Sequence, residues 1–117
     1  ARRAPDRLAR SVAGRHLPGM KCEDALARLR PLEGPLRAQG LSALYVFGST
    51  ARDQAVGASD LDLLYETDPA GDFSLLDHAR IEADLSTRLG ARIDLVSDAS
   101  LHPRLRPRVQ AERVRVF

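Results

Sequence analysis

Residues 60–65 read Asp-Leu-Asp-Leu-Leu-Tyr. An apolar run headed by two acids one residue apart restricts the fold sharply. Side chains at i and i+2 of a strand share a face. Asp60 and Asp62 therefore project together while Leu61 faces the core. Two carboxylates that close repel each other unless a cation lies between them. The run Leu63-Leu64-Tyr65 behind them argues against a wet loop. A third acid, Asp94, sits inside another apolar segment, Ile93–Val96, where burying a charge without a partner is costly. Taken singly, each acid also fits a solvated strand end.

The rest of the chain supplies elements around these two strands. Ala25, Leu26 and Leu29 fall on one helical face between Cys22 and about Arg30. Pro31 interrupts that helix, and residues 36–39 form a short helical piece closed by Gly40. The run 44–47, Leu-Tyr-Val-Phe, reads as a buried strand ending at Gly48. Residues 50–58 read as a helical turn plus loop. Residues 74–89 predict the longest helix, with Leu75, Leu76, Ala79, Ala83 and Leu89 near one stripe and Gly90 as its stop. Residues 100–112 are expected to be helical after Pro103, with Pro107 at a kink or a first turn. Val114 and Val116 alternate with Arg115 as a terminal edge strand. The order is helix, strand, strand, helix, strand, helix, strand. That is an α/β fold, a small mixed β-sheet flanked by helices.

Charge is laid out unevenly. The net charge is +2, yet residues 1–19 and 104–117 carry +4 each, which leaves −6 in 20–103. An acidic centre suits a metal site and does not suit direct DNA binding, whose basic footprint belongs on the reading surface. Residues 1–19, with five Arg, two Pro and two Gly, are expected to form a basic N-terminal arm, disordered or not native, ahead of a domain spanning 20–117. One cysteine, Cys22, excludes an internal disulfide and fits a reducing, cytoplasmic compartment. No apolar run approaches the roughly 18 residues of a membrane span. His16, His78 and His102 show no metal-ligand spacing.

Gly48-Ser49 follows a strand directly and precedes a helical turn. Glycine lets backbone approach a phosphate closely, and the freed amides and the Ser49 hydroxyl can donate to its oxygens. Ten residues separate Ser49 from Asp60. The runs 47–52 (Phe-Gly-Ser-Thr-Ala-Arg), 59–64 (Ser-Asp-Leu-Asp-Leu-Leu), 92–96 (Arg-Ile-Asp-Leu-Val) and the tail from 101 onward resemble the minimal nucleotidyltransferases. These belong to the DNA polymerase β-type nucleotidyltransferase superfamily, and many are antitoxins paired with a HEPN-domain toxin. The resemblance covers about residues 22–117. One departure is visible, since Asp53 stands where a glycine commonly follows the arginine.

The resemblance implies a nucleotidyltransferase fold and a set of roles. Gly48 and Ser49 would hold the β- and γ-phosphates of ATP or another nucleoside triphosphate. Asp60, Asp62 and Asp94 would be both catalytic residues and metal ligands for two Mg2+ ions, with Asp94 also helping to deprotonate the acceptor. Arg52 would bind nucleotide by neutralising triphosphate charge; a salt bridge to Asp53 or Asp60 is the other reading for it. The implied activity is protein adenylylation, the transfer of AMP from ATP to a tyrosine hydroxyl of a partner HEPN toxin in a hetero-oligomer. Two alternatives stay open: a non-catalytic antitoxin that binds the toxin or senses nucleotide, and a nucleotidyltransferase acting on a small molecule such as an antibiotic. Tyr65 is a core residue or a platform for a base. Arg104, Arg106 and Arg108 form a solvated face or a docking surface.

Overall fold

The computed structural model describes residues 20–54 and 60–117. The basic arm expected over 1–19 and part of the loop expected over 50–58 lie outside the described residues. Helix α1 (Cys22–Leu29) leads through a 3-10 turn (Arg30–Leu32) into α2 (Glu33–Ala38). Strand β1 (Leu41–Phe47) and the single turn α3 (Gly48–Ala51) follow, then β2 (Leu61–Thr67). Helix α4 (Leu75–Leu89), β3 (Ile93–Ser97), a 3-10 turn (Asp98–Ser100), α5 (Arg106–Glu112) and β4 (Val114–Arg115) complete the chain. The small mixed sheet flanked by helices is thus present, with strand order β3-β2-β1-β4. β1 runs antiparallel to β2 and β4, while β2 and β3 are parallel and joined by α4.

Strand alternation sorts the sheet into two faces. Leu44 and Val46 of β1, Leu61, Leu63 and Tyr65 of β2, and Ile93 and Leu95 of β3 pack with α1, α2 and α4 into the main core. Ala43, Tyr45 and Leu64 face the other way and meet Leu101 and Val109, so α5 covers only part of the second face. Asp62 and Asp94 alternate onto this second, incompletely covered face.

Helix α4 begins at a capping box. Asp77 N–H donates to the Ser74 hydroxyl at 3.2 Å, and Ser74 N–H donates to the Asp77 carboxylate at 2.8 Å. The Ser74 N–H and the Ser74 hydroxyl, both donating to the Asp77 carboxylate, hold that carboxyl below its usual value. Gly90, in the left-handed region at φ 62°, closes the helix as expected. The predicted stripe is rotated, however. Ile81, Leu85 and Leu89 are the buried residues, whereas Leu75 and Leu76 are 85% and 63% exposed and Ala79 and Ala83 face solvent. At 3.6 residues per turn, Leu76 and Ala83 lie nearly half a turn from the 81–85–89 row. That row meets β3, so it alone sets the helix phase.

The C-terminal helix is shorter than expected. It starts at Arg106 with Pro107 in its first turn, where a missing N–H costs nothing. Arg106 Nη1 donates to both oxygens of Asp98 at 3.2 and 3.3 Å, and the Arg113 guanidinium lies 4.0 Å over the Tyr45 ring. Arg106 is therefore a structural anchor, while Arg104 and Arg108 face solvent. No helix among the described residues is long and apolar enough to cross a membrane.

Candidate active site

The register of the sheet assembles the site. Phe47 at the end of β1 pairs with Asp62 at the start of β2, and Asp62 pairs with Asp94 of β3. Neighbouring strands lie about 4.8 Å apart, so two carboxylates on one face in parallel register stand side by side. The chain leaves β1 through Gly48, at φ 72°, directly beside Asp62. A Cβ built on Gly48 would lie 2.2 Å from Asp62 Oδ2. Glycine is required here twice, by the backbone and by the carboxylate.

The turn α3 carries Ser49 directly after Gly48, and Thr50, next in the turn, is buried. The first amides of such a turn have no acceptor within the helix. At its exit, Gln54 N–H donates to Ser49 O at 2.8 Å and Asp53 N–H to Thr50 O at 3.0 Å. Asp53, in the place commonly held by glycine, adopts φ 55°. Asp is among the few side chains that tolerate this region. Its carboxylate also accepts the Cys22 N–H at 2.8 Å, which ties the turn to the start of α1. Burial and the Asp53 charge push the Cys22 thiol up.

The three acids are not equivalent. Burial, followed by the charges of Asp94 and Asp60 and a hydrogen bond with Asp94, pushes Asp62 up to about 6; Arg52 opposes the rise. Asp94 is exposed. Asp60 is half-buried and pairs with Arg92 at 3.3 Å. Among the described residues no group of three or more His, Cys, Asp or Glu is disposed to hold a metal ion. The structure brings Asp62 and Asp94 together, with Asp60 near enough for its charge to reach Asp62 while its own carboxylate pairs with Arg92. Arg92 is 83% exposed, and ion pairs of that kind contribute about 0–1 kcal/mol. Swinging Asp60 toward the pair costs little. The donor set itself, hard carboxylate oxygens with an unrelieved negative charge, fits a divalent oxygen-seeking ion such as Mg2+.

The raised Asp62 has a measurable consequence. Between about pH 4, the unfolded carboxyl value, and pH 6, the folded protein binds more protons than the unfolded chain. Stability therefore falls as pH rises through this window. In metal-free protein, the unfolding free energy should decline from pH 4.5 to 6.5 by more in the wild type than in Asp62→Asn. Parallel declines in denaturant titrations at the two pH values would contradict the placement of Asp62 against Asp94.

Other residues fall outside the site. Tyr65 points to the opposite face from Asp62, 4% exposed, its hydroxyl 2.8 Å from His78 Nδ1. It is a core residue and not a base platform. His102 Nδ1 accepts the Arg104 N–H at 3.0 Å. Arg52 pairs with neither Asp53 nor Asp60. Its Nη1 donates to Glu112 of α5 at 2.9 Å, and its Nε donates to Gln54 at 3.2 Å. Nothing in the sequence marks Glu112, sixty positions away, as a neighbour of the turn.

Residues 32–116 match the family described as the nucleotidyltransferase domain. A Methanocaldococcus jannaschii protein, provisionally named a protein adenylyltransferase, is 36% identical over 82 residues, which is 70% of this chain and 86% of that one. A solved structure provisionally described as a minimal nucleotidyltransferase superposes with a TM-score of 0.70 at 40% identity, covering 81% of this chain and 95% of the other. A Shewanella oneidensis complex of a tri-AMPylated HEPN toxin with its MNT antitoxin matches at TM-score 0.58 and 19% identity, covering 78% and 70%. A toxin–antitoxin structure with AMP-PNP matches at TM-score 0.62 and 22% identity, covering 74% and 69%. At those two identities the likeness is one of fold. With its matched domain, its curated relative and its shared architecture, the chain belongs to the nucleotidyltransferase family, among the minimal nucleotidyltransferases.

Proposed function

We propose that this chain transfers AMP from ATP to a hydroxyl, that of a tyrosine, on a HEPN-type toxin encoded beside it, and so silences that toxin. The observation that carries this reading is the in-register Asp62–Asp94 pair beside the Gly48–Ser49 turn. The name of the archaeal relative supports adenylylation of a protein. The tri-AMPylated toxin of the Shewanella oneidensis complex supports the acceptor class.

In this reading Gly48 and Ser49 hold the β- and γ-phosphates, and Arg52 offsets their charge. Asp60, Asp62 and Asp94 hold two Mg2+ ions. Bound there, the ions supply charge neutralisation for the attacking and leaving oxygens of an in-line displacement. The acceptor hydroxyl oxygen forms a bond to the α-phosphorus while the bond to the β-phosphate oxygen breaks. Pyrophosphate leaves, and Asp94 takes the hydroxyl proton. The exposure of Asp94 lets a macromolecular acceptor reach it.

Intact-mass measurement tests this directly. Protein, Mg2+ and ATP incubated with the product of the adjacent gene should add one or more AMP masses to that product. A neighbour that forms a stable complex yet gains no mass would instead favour neutralisation by binding.

A further inference from the structure

The turn that carries Gly48 and Ser49 is tied to α5 by a residue that plays no part in the chemistry above. Glu112 is the last residue of α5, and its Oε1 accepts from Arg52 Nη1 at 2.9 Å. Arg52 Nε donates to Gln54 Oε1 at 3.2 Å. Two of the three guanidinium nitrogens are therefore fixed, and among the described residues nothing else is bonded to the group. The other Glu112 oxygen lies 3.5 Å from Arg108 Nε, one helical turn back. That contact restrains the carboxylate in turn. Asp53 anchors the same turn to α1 from the opposite side. A long side chain held in this way keeps one rotamer.

We propose that Glu112 is a positioning residue for nucleotide binding: it orients the Arg52 guanidinium toward the triphosphate before the nucleotide arrives. This inference rests on the reading of Gly48, Ser49 and Arg52 as the triphosphate site. A carboxylate near phosphates also repels them, so two effects of opposite sign compete. Arg52 and Glu112 are each about one-third exposed, which screens the long-range repulsion. The short hydrogen bond acts at contact, and the ordering of a flexible arginine is the larger effect.

Calorimetric titration with a non-hydrolysable ATP analogue and Mg2+ separates these effects. Glu112→Ala should weaken binding by up to about tenfold, the cost of ordering one long side chain. Glu112→Gln keeps an acceptor at the same place and should bind nearly as the wild type does. In an Arg52→Ala background, Glu112→Ala should have no further effect, because the two act as one unit. Arg52→Lys keeps the charge but loses the planar fork, and should weaken binding comparably in a chain whose α5 contacts are otherwise intact. Unchanged or tighter binding in Glu112→Ala would overturn the inference, as would a full Glu112→Ala effect without Arg52. Should the wild type itself fail to bind the analogue, the triphosphate site and this inference fall together. Should the wild type bind and Glu112→Ala match it, only this inference falls.

Discussion

Asp62→Asn should abolish AMP transfer and at the same time stabilise the metal-free fold. The two effects have one cause. Asp62 sits partly buried against Asp94 and near Asp60, which pushes it up to about 6 and makes its charge a burden on the folded state at neutral pH. Asparagine keeps the shape and removes that burden, so the melting temperature of metal-free protein should rise. Transfer should nevertheless fall by at least about 10³-fold. Losing a ligand for the ions forfeits several kcal/mol of charge stabilisation, and each 1.36 kcal/mol is tenfold in rate. Melting curves and a single-turnover transfer assay on the same preparations decide the matter. A variant that loses activity only because it unfolds would contradict this pairing of effects, and so would full activity.

The second large effect is expected at Gly48. A residue with a Cβ at φ 72° adopts the left-handed region at about 1–2 kcal/mol. Its Cβ would also meet Asp62 Oδ2 at 2.2 Å, so the carboxylate must leave its place beside Asp94. Gly90 provides the control. It has φ 62°, and a Cβ there meets nothing within 4 Å. Gly90→Ala should therefore show the backbone cost alone and retain full transfer. Gly48→Ala should be destabilised by as much or more and lose both nucleotide binding and transfer. Equal activity in the two variants, measured at a temperature where both are folded, would mean that the approach of Gly48 to Asp62 does not matter for function.

How far the sequence discloses this site follows from the range of each interaction. Asp62 is legible because a strand imposes a period of two and the apolar run behind it fixes the strand, whereas Asp60 falls just ahead of β2 and pairs with Arg92. Gly48 is legible as a turn, though its contact with Asp62 depends on the Phe47–Asp62 register. Asp94 is legible as a charge in an apolar segment, while its partner emerges only from the parallel pairing of β2 and β3. The phase of α4 was misleading: Leu75 and Leu76 are conspicuous in sequence, but they sit in the first turn of the helix, and the sheet contacts the row 81–85–89 instead. Arg52 illustrates the limit most clearly. Its local environment suggests Asp53 or Asp60 as partner, yet α5 folds back to bring Glu112 to it, and Asp60 turns to Arg92. Asp53 looks like a defect beside a motif that commonly has glycine. In the fold it supplies the positive φ and an acceptor for the start of α1.

The most direct test of the site is calorimetry with a non-hydrolysable ATP analogue, with and without Mg2+, on the wild type and on Asp62→Asn. Tight binding confined to the wild type in the presence of Mg2+ is the expected result, because the carboxylate pair and the Gly48–Ser49 turn then act as one site for the ion and the triphosphate. Binding that is indifferent both to Mg2+ and to Asp62 would contradict it, and would leave the Asp62–Asp94 pair without a role in holding nucleotide.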